Sequence, residues 1–149
     1  MFQLNKTQDE ICTRFEQIPW HDSKLVGVII VKEGMVGYHV TLQVSLLSGL
    51  REGQPTFTSA SLKFSEARIF QSDFDLLGLK YCGGAVASGT CRTHSDFMVR
   101  IESDLVENPS LRPEVNPFAQ MKHFLIHLIP PGGDINIIAR DFELTVSEP

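Results

Sequence analysis

The sequence predicts an α+β fold that is mostly β: one N-terminal helix packed on an antiparallel sheet or β-sandwich of roughly six to eight strands. Three observations predict it. Helical periodicity with clear boundary signals appears once, near the start of the chain. Segments that alternate apolar and polar residues follow one another over the rest. No helical stretch of crossover length separates them, so parallel βαβ units are not expected. The 149 residues, 42% hydrophobic and 21% charged, form a single globular domain spanning residues 1–149. A chain of this size buries about 70% of the surface its unfolded state exposes, so it needs neither disulfide nor metal to fold.

Each element has its own justification. Thr7-Gln8-Asp9-Glu10 has the form of a capping box. Ile11, Phe15 and Ile18 then recur on one helical face, and Pro19 stops the helix, which is expected over residues 8–17. Residues 25–31 are continuously apolar and mostly β-branched, the pattern of a strand buried on both faces. After a turn at residues 32–35, Tyr38, Val40, Leu42, Val44 and Leu46 alternate with polar residues, completing a hairpin. Residues 49–55 form a polar connection. In residues 56–71, Ala60, Leu62 and Phe64 share one parity while Ala67 and Ile69 share the other, so a bulge or two short strands is expected. Residues 73–78 fit a helical turn or a loop, and residues 82–90, rich in small side chains, are expected to be irregular. Phe97, Val99 and Ile101 suggest a strand over residues 94–102. Three prolines make residues 108–117 a loop. Residues 122–129 and 135–146 flank Pro130-Pro131-Gly132-Gly133-Asp134 and read as a second hairpin, with a bulge near Arg140-Asp141.

Charge and cysteine content bound the function. Thirteen Lys and Arg against eighteen Asp and Glu give a net charge of -5, which supplies no basic footprint for nucleic acid. The longest apolar stretches fall far short of the ~20 residues that a membrane helix needs. Residues 1–6 lack the pattern of a secretory signal. The expected location is therefore cytoplasmic, with Cys12, Cys82 and Cys91 as reduced thiols. No cofactor is expected.

Candidate sites are few. His21-Asp22-Ser23 holds the letters of a hydrolase triad, but adjacent residues cannot converge on one substrate, and no G-x-S-x-G elbow is present. The segment fits a helix-to-strand junction, with Trp20 as an anchor and Asp22 or Ser23 satisfying backbone amides. Trp20, His21, Asp22 and Ser23 are retained as candidate binding residues. His123 and His127 would share a face on a strand about 13 Å apart, too far for one ion, so no metal is expected there. Cys91, His94 and Asp96 follow a glycine-rich stretch, and a Cys-His pair could in principle make a thiolate, but no cationic cluster accompanies it. The glycine pairs Gly83-Gly84 and Gly132-Gly133 lack the lysine and framing of a phosphate loop.

The series Phe15-x4-Trp20-His21-Asp22-Ser23-x-Leu25, followed by a strand, resembles a group of small bacterial proteins. That group includes immunity proteins encoded beside polymorphic toxins. The C-terminal series Gly133-Asp134-Ile135-x2-Ile138-Ala139-x2-Phe142 is similar to their closing strand. The resemblance covers the two ends and leaves residues 49–116 unmatched. It implies a non-enzymatic protein whose job is binding, with a toxin as the expected partner; a further reading is a structural module that pairs with a second copy of itself through an exposed strand edge. The alternative is a small enzyme or ligand-binding domain using the Cys91, His94, Asp96 region or the His123, His127 face.

Overall fold

The computed structural model describes residues 3–34, 37–107, 118 and 120–147. The expected loop at residues 108–117 lies outside the described residues. The fold is α+β and mostly β, and the described residues form two four-stranded antiparallel sheets and three helices. The first sheet has the order β1 (Lys24–Glu33), β2 (Gly37–Arg51), β3 (Gln54–Ala67), β8 (Asp141–Val146). The second has the order β4 (Ile69–Ser72), β7 (Asp134–Ala139), β6 (Lys122–Leu128), β5 (Val86–Arg92). The helices are α1 (Gln3–Glu16), α2 (Leu76–Cys82) and α3 (Asp96–Glu107).

Two seams join the sheets. At one, β3 passes into β4 across Arg68, and β7 passes into β8 across Arg140. β3 pairs with β8 and β4 with β7, so one bent pair of strands belongs to both sheets. Glu66, with φ of 53°, turns the chain there, and its carboxylate lies 3.4 Å from Arg140 Nε. The phase changes near residues 65–66 and 140–141 are thus changes of sheet. At the other seam the starts of β1 and β5 meet: Leu25 N–H donates to Gly84 O at 2.8 Å, and Val86 N–H to Ser23 O at 2.7 Å.

The core fills the space between the sheets. The even-numbered residues Val40, Leu42, Val44 and Leu46 of β2, with Ala60, Leu62 and Phe64 beside them on β3, pack against Phe124 and Ile126 of β6 and Ile135 and Ile137 of β7. Phe15 from α1 is wholly buried, with ring centroids 5.0 Å from Phe124, 5.3 Å from Phe142 and 6.2 Å from Phe64. These tilted and edge-on contacts suit the aromatic quadrupole. A smaller cluster of Met98, Phe118 and Ile138 lies under α3 on the outer face of the second sheet. Ile137 and Ile138 are therefore both buried, on opposite faces of one strand.

Several expectations are corrected. α1 begins at Gln3, so Thr7 lies within the helix and is not its cap. Residues 94–102 are not a strand, because α3 starts at Asp96. Phe97 and Ile101 are four apart and satisfy both periods; Met98, 5% exposed, and Val99, 44% exposed, show that the helical one holds. The small-residue stretch contains strand β5, and residues 76–82 form α2. The polar connection shrinks to a tight turn at Glu52 and Gly53, both at positive φ, between long strands β2 and β3. β1 is not buried on both faces: it is an edge strand, with Ile29, Ile30 and Val31 exposed. Finally, Cys12 and Cys91 are disulfide-bonded, with Cα atoms 4.8 Å apart, rather than free thiols. The bond fastens α1 to β5, and Glu16 adds a carboxylate that accepts from Cys91 N–H at 3.0 Å.

Candidate functional site

The Trp20–Ser23 segment forms the junction between α1 and β1. Trp20 is buried; its Nε1–H donates to Phe15 O at 2.8 Å, and its ring lies 5.0 Å from that of Phe15. Ser23 is wholly buried. Its hydroxyl donates to Pro19 O and accepts from Leu47 N–H at 3.0 Å. Asp22 takes the left-handed region at φ 66°, and its N–H donates to Val86 O at 3.1 Å. His21 points to solvent with its side chain 81% exposed, 3.5 Å from the Asp22 carboxylate. The four residues therefore divide into two buried braces and two exposed polar groups.

The Cys91, His94, Asp96 group does not converge. Cys91 is held in the disulfide and has no thiol to offer, while His94 and Asp96 are exposed. Ser95, between them, is the residue that the fold uses. It caps α3, its Oγ accepting from Met98 N–H at 3.2 Å. It also reaches buried His123, on β6: His123 Nδ1 lies 2.9 Å from Ser95 Oγ, and Nε2 lies 2.7 Å from Asn136 Oδ1. The amide oxygen can only accept, so Nε2 carries the proton and Nδ1 accepts from the serine hydroxyl. Phe97 stacks on the imidazole at 4.7 Å. Burial lowers the His123 pKa, partly offset by the hydrogen bond to Asn136. His127 is exposed and pairs with Asp134. Among the described residues, no three His, Cys, Asp or Glu side chains are grouped to hold a metal ion.

A groove lies elsewhere, along β1. One edge of β1 pairs with β2, while among the described residues no strand pairs with the other edge after Leu25. Val26 is the extra residue at a register shift and is 67% exposed. Val28 and Ile30 stand opposite Leu42 and Val40 on the core-facing side, whereas Ile29 and Val31 stand opposite Thr41 and His39 on the outer side. At the far end, Glu33 contacts Lys63 at 2.9 Å and His39 at 2.8 Å. The hydrogen bond from Lys63 leads the causes that lower the Glu33 pKa.

Beside this edge α2 raises a wall. Asp75 caps it, accepting from Leu77 N–H and Gly78 N–H at 3.1 Å each, and Gly83 ends it in the left-handed region. Between β1 and α2 lies a groove of about 440 Å³, lined by Leu25, Val26 and Val28 on one side and by Phe74, Leu76, Leu79 and Lys80 on the other. Gly84 closes one end: its φ is 72°, and a side chain there would strike Leu25 O. Sequence reasoning missed this site because its walls are about fifty residues apart and meet only in the fold. Asp75 before an apolar run and Gly83-Gly84 after it were the available signals.

The chain matches no family model, no curated protein and no solved structure.

Proposed function

We propose that the protein is a non-catalytic binding protein that takes an extended segment of a protein partner along the free edge of β1. The observation that carries this reading is the union of that edge with the apolar groove. Edge strands are ordinarily blunted by charge, proline or a covering element. Residues 26–31 carry no charge and no proline, and four of these six residues are exposed apolar side chains. Exposed apolar surface of this kind marks interaction sites. Strand addition draws affinity from main-chain hydrogen bonds and selectivity from pockets for alternate side chains.

The resemblance to immunity proteins supports a protein ligand, and on that reading the partner is a bacterial toxin. The net charge of -5 argues against nucleic acid. Among the described residues, no helix is long and apolar enough to cross a membrane. The cytoplasmic location expected from the sequence sits against the Cys12–Cys91 bond, because disulfides persist in oxidising compartments.

The test is calorimetric titration with the product of the adjoining gene. Val26→Asp and Ile29→Lys are expected to weaken binding at least tenfold, while their urea melts stay within about 1 kcal/mol of wild type. His21→Ala is expected to bind normally. Loss of binding in His21→Ala or Asp22→Ala with stability intact would move recognition to the junction and overturn the reading.

One observation favours a second reading, a small enzyme. Ser95, His123 and Asn136 form a hydroxyl–imidazole–amide chain. Covalent labelling of Ser95 by a fluorophosphonate, lost in His123→Gln, would support it.

A further inference from the structure

We infer that the groove beside β1 takes the C-terminal tail of the partner chain, with the terminal carboxylate meeting Lys80. The inference rests on the strand-addition reading and names what that strand must be.

Direction comes first. Every pairing in the first sheet is antiparallel, and an added strand of the same kind runs against β1. Such a strand reaches the Leu25 end of β1 with its own C-terminus. The free edge stops there, because Leu25 N–H already donates to Gly84 O at 2.8 Å. Lys24 is bridged to Ala85 just beyond. A segment that continued would run into β5, so a tail that ends at Leu25 fits and an internal loop does not.

Charge comes second. Lys80 belongs to the last turn of α2, whose cap joins Gly84 N–H to Leu79 O at 3.1 Å. Lys80 lines the groove, three residues before the Gly83-Gly84 pair that lies at its closed end. It is the one ionisable side chain among the groove's lining residues. No carboxylate pairs with it among the described residues. An otherwise apolar groove whose lining carries one cation is complementary to an apolar tail ending in a carboxylate. The stretch of β1 along the groove covers about 13 Å, room for a tail of about four residues with alternate side chains turned inward.

The experiment pans random heptapeptides displayed with free C-termini against the intact protein, beside the same library with its C-termini fused to the carrier. The best sequence is then titrated as a labelled peptide in acid and amide forms. The free-ended library is expected to enrich tails that are apolar at alternate positions. Amidation is expected to weaken binding about tenfold, as loss of a charge-assisted hydrogen bond does. Lys80→Gln should erase the difference between acid and amide, and Val26→Asp should abolish both. Equal enrichment of the fused library, or equal binding of acid and amide, would overturn the tail while leaving strand addition standing. No enrichment over Val26→Asp from either library would overturn both. A doubling of mass in sedimentation that Val26→Asp abolishes would put a second copy on the edge and likewise overturn the inference.

Discussion

The indole of Trp20 occupies the space that a side chain at Gly89 would need. This contact seats the α1–β1 junction directly on the backbone of β5, close to the Cys12–Cys91 bond. It leaves neither residue room to change. Gly89→Ala is expected to destabilise the fold by about 1–3 kcal/mol through overpacking. Trp20→Ala is expected to cost about 3–5 kcal/mol through the cavity that it leaves. Urea melts of both variants check this, with His21→Ala as the exposed control expected within about 0.5 kcal/mol of wild type.

The disulfide closes a long loop, with 79 residues of sequence separation between Cys12 and Cys91. Closing a loop of that size restricts the unfolded chain strongly, and removing such a bond costs about 2–5 kcal/mol. The Cys12→Ser, Cys91→Ser double variant should show that loss in denaturant melts. Reduction of the native protein should reproduce it. Thiol trapping in intact cells, followed by mass measurement, reports whether the bond is formed where the protein works.

Stability should fall with acid in two stages. His123 is buried as the neutral ring, so its folded pKa lies below the ordinary value of about 6.5. As pH drops through that value, the unfolded chain takes up the proton first, and the fold loses stability until the folded value is reached. Glu33, lowered chiefly by its hydrogen bond from Lys63, contributes stability above its unfolded pKa and loses it at lower pH. Melts between pH 7.5 and about 5.5 isolate the first stage. A decline of the same size in His123→Gln would show that the imidazole is not its source.

Ser95 serves two partners with one hydroxyl. Ser95→Ala removes the cap of α3 and leaves His123 Nδ1 without its donor. A cap alone is worth about 1 kcal/mol, and an orphaned buried acceptor adds about 1–3 kcal/mol. Ser95→Asp restores the cap but opposes Nδ1 with a carboxylate, which favours the protonated ring. Its His123 titration, followed by NMR, should move upward from wild type.

The parts of the fold legible in the sequence were those with one face wet. β2 alternates cleanly because Thr41 and Gln43 meet solvent while Leu42 and Val44 meet the core. α3 was misread because Phe97 and Ile101 satisfy both periods, and only the burial of Met98 separates them. β1 was misplaced for a related reason: an unbroken apolar run looks the same whether its faces are packed or open. The Trp20–Ser23 junction was visible as a motif, since its parts are adjacent. The groove was not, since Val26 and Lys80 share no local pattern. Nor could residue spacing show that Cys91, seventy-nine residues on, stands beside Cys12.

The bent strand pair at Arg68 and Arg140 also governs the order in which the molecule can be made. β3 ends at Ala67, while the strand beside it, β8, begins at Asp141; β4 likewise waits for β7. Synthesis proceeds from the N-terminus at about 5–20 residues per second, so β3 and β4 stand without these partners for several seconds. During that interval a nascent chain exposes unpaired edges of β3 and β4 besides that of β1. Such non-local pairing also slows folding, to milliseconds or longer. The emerging chain is thus most open to aggregation, or to chaperones, before β7 and β8 leave the ribosome.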